Sequence, residues 1–422
     1  MTKHTFFWGV CLLLLLSAVW LPAHLAQART SLAPIVPDST FGQSGTATIQ
    51  WAGYQPAHGW IAERSDGTLV LAAMLRQHPG NAAALGLAHL RPDGSPDTSF
   101  GTNGALLVPQ SDPSFMVRDM ILQENQTLVL VERGGWLILQ RYTPAGTLDI
   151  SFGTNGEVAL PMQVLRFTSG TVSLQNDGKI LVGGGQLNSY NYIDKFAVMR
   201  LHPDGIADAS FGQSGIVAVS FTGEVSDLTQ LATGHILATG MSNGGFGVIR
   251  FTESGQVDTS FGNGGFQTVL VYPAGSSTQT PVRPTHITVQ ADGKIVVVGH
   301  TGNPYRAMTR LHADGTVDAE FGTNGVFHQN DALGTFDDVV LTTDQRILAT
   351  GWHRPQMAFV QSHLSPFTIA GQYESDGIVS GVVNTYGAAL LIQSGGRGNL
   401  LQVSYTTPAS GAAGQMTVMR YD

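Results

Sequence analysis

The chain has almost no cysteine: its 422 residues contain only Cys11. Cys11 lies in an apolar N-terminal stretch, so we expect the rest of the chain to have no disulfide and to depend on its core for stability. Charged residues make up only 12%, with 21 basic against 30 acidic side chains. Because basic surfaces attract nucleic acids and anionic membranes, this balance argues against both partners.

The sequence also lacks the common signatures of catalysis. It contains no His-Glu-x-x-His motif, no phosphate-binding loop and no Asp-x-Asp-x-Asp-Gly calcium loop. Gly240–Gly244 fits the Gly-x-Ser-x-Gly formula, but that motif needs a turn from a strand into a helix, and another strand is predicted here. We therefore predict no cofactor and favour a non-enzymatic protein, with catalysis left open.

The N-terminus is typical of a secretory signal peptide. Lys3 precedes the apolar run Phe6–Trp20, and Ala26-Gln27-Ala28 fits a cleavage site. We expect residues 1–28 to be removed and the product to be periplasmic, extracellular or at the cell surface, without a membrane span. A retained anchor is the alternative, although the apolar run is short for a span, which needs about 20 residues.

Glycine is abundant, at 52 residues, and much of it belongs to a phrase that recurs along the chain. Six copies end in Phe-Gly-x-x-Gly, and a degenerate seventh lies at Tyr373–Gly377. Successive copies are 50 to 60 residues apart, a period typical of propellers and solenoids. The Phe-Gly pairs start at these positions: Phe41, Phe100, Phe152, Phe211, Phe261 and Phe321.

One repeat predicts four strands. They are Thr171–Gln175, Lys179–Gly183, Phe196–Leu201 and Ile216–Val219. The first two flank an Asp-Gly turn, the strongest short-range signal for a hairpin. Four antiparallel strands in each repeat predict a β-propeller blade.

The two ends of the chain indicate how the ring closes. Met416–Arg420 matches the third strand of a repeat, and Thr46–Gln50 matches the missing fourth strand. We therefore predict an all-β fold with a single domain over residues 29–422. We expect this domain to be a monomeric, seven-bladed β-propeller that is closed by pairing of the N- and C-terminal strands. An open solenoid is the alternative, but it would leave exposed edges.

We interpret the repeated phrase as structural. Its Asp and Ser side chains suit turns, its Phe suits the seam between sheets, and in four repeats an Arg eight residues before the Asp could pair with that Asp. The residues assigned to this role are Asp97, Phe100, Gly101, Asp149, Phe152, Gly153, Asp208, Phe211, Gly212, Asp258, Phe261, Gly262, Asp318, Phe321 and Gly322, with Arg141, Arg200, Arg250 and Arg310 as partners.

These motifs resemble a known repeat. Leu201-His202-Pro203-Asp204-Gly205 through Gly215, together with Gln290–Gly299, is similar to the delta-60 repeat family of bacterial secreted and surface proteins. The resemblance spans roughly residues 37–422. It implies a propeller-like fold and a bacterial source, and it implies no catalytic residues.

A ligand site is expected where the variable loops lie, at the end of the ring opposite the repeated turns. The aromatic and arginine side chains there would suit a polysaccharide or a protein ligand. Tyr305 and Arg306 with Trp352, His353 and Arg354 form the preferred cluster, and Tyr190 and Tyr192 are further candidates. The alternatives are an extracellular hydrolase or lyase with a site at the channel mouth, and a passive envelope component.

The start of the innermost strands is a second candidate site. Counting back from aligned apolar residues places Asp119, Thr171, His286 and Asp338 at one level, and Asp227 joins if one turn is a residue shorter. Asp119, His286 and Asp338 could hold a divalent cation, although solvated side chains are the more ordinary explanation.

Overall fold

A computed structural model shows an all-β chain. It describes residues 37–77, 80, 82–161, 166–187, 193–221, 223–272, 277–302, 305–343, 345–354, 361–367, 377–378, 385–393, 400–406 and 414–421. All regular structure in these residues is β-strand, and none of them forms a helix that is long and apolar enough to span a membrane. They belong to one compact unit, Val36–Asp422.

The strands fall into six antiparallel sheets. In chain order they are β1 (Thr46–Ile49), β2 (Tyr54–Glu63), β3 (Leu69–Gln77), β4 (Ala83–Leu90), β5 (Ala105–Pro109), β6 (Met116–Gln123), β7 (Gln126–Arg133), β8 (Trp136–Tyr142), β9 (Glu157–Ala159), β10 (Arg166–Leu174), β11 (Ile180–Leu187), β12 (Ile193–Leu201), β13 (Ile216–Val219), β14 (Val225–Gln230), β15 (Ile236–Ser242), β16 (Gly245–Phe251), β17 (Phe266–Val269), β18 (Val282–Val289), β19 (Ile295–Thr301), β20 (Tyr305–Leu311), β21 (Val326–Gly334), β22 (Asp338–Leu341), β23 (Ile347–Arg354), β24 (Gln361–Phe367), β25 (Gly377–Ile378), β26 (Thr385–Ile392), β27 (Leu400–Thr406) and β28 (Gln415–Tyr421). Four sheets are simple meanders: β2 to β5, β6 to β9, β10 to β13 and β14 to β17.

The sheets are arranged in a ring around their innermost strands. The innermost strands lie against one another in the order β2, β6, β10, β14, β18, β22 and β26, and β26 lies against β2. A ring of radially arranged antiparallel sheets is a β-propeller. The predicted propeller fold is confirmed, and an open solenoid is excluded.

The ring closes through the two ends of the chain. β1 pairs with β28, with Thr46 opposite Met419 and Ile49 opposite Met416, in a sheet ordered β1-β28-β27-β26. One outer strand therefore comes from the N-terminal segment and three strands come from the C-terminus. The predicted pairing of Thr46–Gln50 with Met416–Arg420 is confirmed.

The remaining eight strands share one sheet instead of forming two separate blades. β18 to β21 pair in order, β23 pairs with β24 and β24 with β25, and β22 pairs with β23. Two residue pairs join the halves: Leu333 opposite Arg354, and Gly334 opposite His353. The degenerate phrase at Tyr373 lies outside the described residues except for Gly377, which is in β25.

The repeated phrase forms hydrogen bonds between neighbouring blades. Arg200 Nε donates to Asp208 Oδ2 at 2.8 Å, and the guanidinium carbon lies 4.5 Å from the centroid of the Phe211 ring. The amide of Gly212 then donates to the carbonyl of Ser254 in the following sheet, at 2.9 Å. The predicted Arg–Asp pairing holds in all four repeats: Arg141–Asp149, Arg200–Asp208, Arg250–Asp258 and Arg310–Asp318.

The first repeat departs from this pattern. His89 stands where the other repeats have Arg, and it stacks on Phe100 with ring centroids 3.6 Å apart. Arg64 from the end of β2 reaches the same place, with Nη2 3.4 Å from His89 Nε2. Burial and then the charge of Arg64 lower the pKa of His89 to about 4, so the ring is neutral at pH 7.

Candidate ligand site at the channel mouth

Irregular pairing in several inner strands brings one side chain from each of those strands to the same level. In β6 the register shifts between Val117 and Asp119, so that Asp119 lies opposite Leu130. Corresponding shifts precede His58 in β2, Asp227 in β14 and His286 in β18. A bulge re-aims the side chains that follow it. The predicted level is thus present, and Asp227 belongs to it.

Hydrogen bonds connect these side chains from sheet to sheet. Asp119 Oδ2 accepts from the amide of Val172 at 2.8 Å and from Thr171 Oγ1 at 3.0 Å. Asp227 Oδ2 accepts from the amide of Ile287 at 2.8 Å. Each carboxylate thus caps a backbone donor of the neighbouring inner strand, which gives both a structural role.

His286 occupies the centre of the charged part of this level. Its Nε2 lies 3.5 Å from Asp338 Oδ1 and 3.8 Å from Asp227 Oδ2. Its Nδ1 lies 3.2 Å from the carbonyl oxygen of Asp337, which can accept a hydrogen bond from a protonated ring. The imidazole therefore spans three inner strands.

A cavity of about 510 Å³ adjoins this level. Asp119, His286 and Asp337 contribute to its polar wall, and Trp60 lies on the wall formed by β2. The complete lining is Ala57, His58, Trp60, Met74, Met116, Val117, Arg118, Asp119, Gly170, Thr171, Ser226, Pro284, Thr285, His286 and Asp337. Most of these residues lie in the inner strands, and Met116, Ser226 and Asp337 lie at or next to strand starts, so the cavity extends to the mouth of the channel on the variable-loop side.

Burial and neighbouring charges shift the pKa values of the acidic groups in this cavity. Burial raises the pKa of Asp119 to about 6, although the amide of Val172 opposes the change. Burial also raises the pKa of Asp337 to about 7, against a hydrogen bond from Thr335. Titratable groups with pKa values near neutrality are frequent at functional sites.

The two histidines at this level shift in opposite directions. Burial disfavours the charged form of His286, but Asp338, Asp227 and Asp119 outweigh that effect and raise its pKa to about 9. Its side chain is 44% exposed to solvent. Burial and the nearby His286 charge lower the pKa of His58 to about 4. At pH 7, His286 is therefore charged and His58 is neutral.

The metal hypothesis for Asp119, His286 and Asp338 gains no support. In the described part of the chain, no three His, Cys, Asp or Glu side chains are grouped so that they could hold a metal ion. The side chains already have other partners. Asp119 accepts a hydrogen bond from the backbone of the next inner strand, and His286 forms an ion pair with Asp338.

The preferred loop cluster is only partly as expected. Arg306 is 1% exposed in β20, with its guanidinium carbon 5.7 Å from the Phe336 ring, so its predicted exposure on a loop is wrong. Tyr305 is half-buried in the same strand. The backbones do come together, because Leu333 lies opposite both Tyr305 and Arg354.

Other predicted site residues are described only in part. Trp352, His353 and Arg354 lie in β23, whose backbone pairs with β24. Their side chains are outside the described structure, as are Tyr190 and Tyr192 altogether. Sequence reasoning missed His58, Trp60 and Asp337 as cavity residues. An alignment of the first inner strand with the others could have placed His58 at the level of Asp119.

Comparison with known proteins agrees with the fold. A family model described as "Domain of unknown function (DUF5122) beta-propeller" matches residues 175–211 and 290–321. These segments contain the strands and turns of two repeats. The repeats are β-propeller repeats. No curated protein matches the chain.

Two solved structures are similar in fold. One is the β-propeller domain of the Trilobed protease from Pyrococcus furiosus, with 7% identity and a TM-score of 0.43, covering 86% of this chain and 94% of that chain. The other is extracellular domains 1–2 of Drosophila Semaphorin 1a, with 8% identity and a TM-score of 0.44, covering 91% and 88%. At such low identity neither likeness bears on function.

Proposed function

We propose that this β-propeller is a non-enzymatic binding protein that recognises a polysaccharide or protein ligand through its variable-loop face. The observation that carries the proposal is the cavity at the channel mouth, where Trp60, Asp119, His286 and Asp337 meet. Ligand sites are typically concave, with a few polar groups among apolar ones.

The position of the cavity supports this assignment. The Asp-Gly and Phe-Gly turns join β-strands at the opposite end of the ring, where Arg200 donates to the carbonyl of Glu253 and Gly212 to that of Ser254 in the next blade. That end is occupied by structural contacts. The end with the cavity carries the connections that differ between repeats, and such loops on a rigid scaffold usually hold binding residues.

We also propose that the ring has seven blades, two of which share the eight-stranded sheet. β18 and β22 each lie against the neighbouring innermost strands, as expected for the first strands of separate blades. Only two residue pairs join the two halves, through Leu333 and Gly334. We propose in addition that the chain is a monomer exported by its N-terminal signal peptide and related to the delta-60 repeat proteins.

The test uses the purified chain that begins at Arg29, applied to glycan and peptide arrays. We expect a specific ligand, and we expect the double variant Asp119→Asn/Asp337→Asn to lose it. Asp314→Asn is the matched control, because Asp314 is an exposed acid on a repeated turn. A ligand that binds the double variant as tightly as the wild type would exclude the cavity as the binding site. If no ligand on the arrays binds the chain, the result would support a passive envelope component.

A hydrolase or lyase is the second candidate. The observation that favours it is that Asp119, Asp337 and His286 share one cavity, with pKa values of about 6, 7 and 9. General acid–base catalysis needs groups that titrate near the working pH. New reducing ends or unsaturated products from a panel of polysaccharides, absent with Asp337→Asn, would establish this activity over binding alone.

A further inference from the structure

The cavity combines an apolar wall with a polar wall. Trp60, Met74 and Met116 contribute indole and thioether surface, and Asp119, His286 and Asp337 contribute donors and acceptors. The Trp60 ring is held at one edge by His58, with ring centroids 4.6 Å apart and planes at 69°. An aromatic ring fixed in this way can offer a flat apolar contact to a ligand.

The charges of the polar wall disfavour a strongly charged ligand. The polar wall carries charges of both signs: His286 is cationic at neutral pH, Asp119 with a pKa of about 6 is ionised, and Asp337 with a pKa of about 7 is only partly ionised. A cation or an anion would therefore meet a like charge as well as an opposite one. The other cation of the lining, Arg118, forms an ion pair with Glu132. The wall therefore suits a neutral ligand that both donates and accepts hydrogen bonds.

The hydrogen bonds that are already formed indicate which groups are available. Asp337 Oδ1 accepts from Thr335 Oγ1 at 2.7 Å, and a carboxylate has about four acceptor positions. Asp119 accepts from Met120, Thr171 and Val172, which uses most of its capacity. Both ring nitrogens of His286 already face Asp337, Asp338 and Asp227, so Asp337 has the greatest capacity for a new partner.

We propose that the cavity takes a neutral pyranose unit of a polysaccharide, whose C–H face contacts Trp60 and whose hydroxyl groups bond to Asp337. This deepens the proposed binding function and rests on it. A sugar ring has an apolar face and hydroxyls that act as donors and acceptors, which matches both walls. The volume of about 510 Å³ is that of an ordinary small-molecule site.

The experiment is calorimetric titration of the mature chain at pH 8 with neutral oligosaccharides of β-1,4-glucan, β-1,3-glucan, α-1,4-glucan and galactan. Chitosan and polygalacturonate oligomers are the charged comparisons. We expect one neutral sugar to bind, Trp60→Ala to weaken it at least about tenfold, and Trp60→Phe to weaken it by much less. Trp136→Ala is the control, since Trp136 is 44% exposed and outside the cavity.

Each outcome decides the proposal. Stronger binding of chitosan or of polygalacturonate oligomers than of every neutral sugar would overturn it, as would equal affinities for wild type and Trp60→Ala. If Trp60→Ala does not fold, the same tenfold criterion applies to Asp337→Ala. A protein ligand that depends on Asp119 and Asp337, found without any neutral sugar, would refute the sugar proposal and leave the binding function standing. Absence of any ligand would refute both.

Discussion

Arg420 and Asp38 are 382 positions apart in the sequence and form the ion pair at the closure of the ring. Arg420 Nη2 lies 2.6 Å from Asp38 Oδ2, and its guanidinium carbon lies 4.8 Å from the Phe41 ring centroid. Arg200, Asp208 and Phe211 make the same arrangement within one repeat. The chain therefore closes its ring with the chemistry that it uses inside each blade.

Removing Arg420 should destabilise the ring closure. Asp38 is only 4% exposed but keeps its hydrogen bonds from Thr40, so Arg420→Met would remove one partner of a largely buried carboxylate, which costs about 1–3 kcal/mol. We expect a loss of that order in the free energy of unfolding, measured by urea denaturation. Arg118→Met is the control: the Arg118–Glu132 pair is about 20% exposed, and the loss should be near or below about 1 kcal/mol. Equal losses would show that closure does not depend on the pair.

The sequence predicted this closure because the repeated phrase was divided between the two ends. The strands of Thr46 and Met419 could be paired from the sequence, since they match the fourth and third strands of a repeat. The sequence could not predict the two-pair junction at Leu333, because no period in the pattern marks it. The sequence also placed Arg306 on a loop, although it is the second residue of β20, because the sequence pattern does not distinguish a short connection from the first residues of a strand.

In the first repeat, His89 and Arg64 occupy the positions that Arg141 and Gln123 occupy in the next repeat, and this difference can be tested. His89→Arg alone would place two guanidinium groups side by side, since Arg64 already lies 3.4 Å from the ring. We expect it to destabilise the chain. His89→Arg with Arg64→Gln should restore the arrangement of Arg141 and Gln123, whose side chains are 3.0 Å apart, and recover the stability. Thermal unfolding of the two single variants and the double variant measures the coupling. If the effects of His89→Arg and Arg64→Gln on Tm simply add in the double variant, the two positions are not coupled in this way.

The channel level was predictable only in part. Asp119, His286 and Asp338 followed from counting along aligned strands. Asp337 did not, since its position in the cavity depends on how the chain enters β22, where its amide donates to the carbonyl of Thr350. Trp60 lies two residues after His58, and only the three-dimensional ring shows that both line the cavity.

Asp337→Asn should stabilise the protein at alkaline pH. The pKa of Asp337 is raised from 3.8 to about 7, so the folded state holds this proton more tightly than the unfolded state does. The stability it contributes is present below pH 4 and is lost as the pH rises through about 7. The Tm difference between variant and wild type should therefore increase from pH 4 to pH 8. Asp314→Asn, whose carboxyl has a lowered pKa, should not show this increase.

His286→Gln should have a different pH signature. The pKa of His286 is raised from 6.5 to about 9, because Asp338 and Asp227 outweigh burial. Its contribution to stability is present below pH 6.5 and is lost as the pH rises through about 9. We expect a lower Tm for the variant at pH 6 and no difference near pH 10. His58→Gln is the control, since the pKa of His58 is about 4 and its effect should be constant above pH 6.5. A constant difference for His286→Gln would contradict the ion pairs.

Gly212→Ala should be among the most harmful changes in the repeated phrase. Gly212 has a φ of 54°, and an added Cβ would lie 2.2 Å from the carbonyl oxygen of Ile216. Backbone cannot give way without loss of the turn that bonds to Ser254, so we expect a destabilisation well above about 1 kcal/mol in urea denaturation. Gly264→Ala is the matched control, with a φ of 68° and nothing within 4 Å of the added atom. Gly264→Ala has only the cost of a side chain at positive φ. If both changes destabilise the protein equally, the contact between the Cβ added at Gly212 and the carbonyl oxygen of Ile216 contributes nothing.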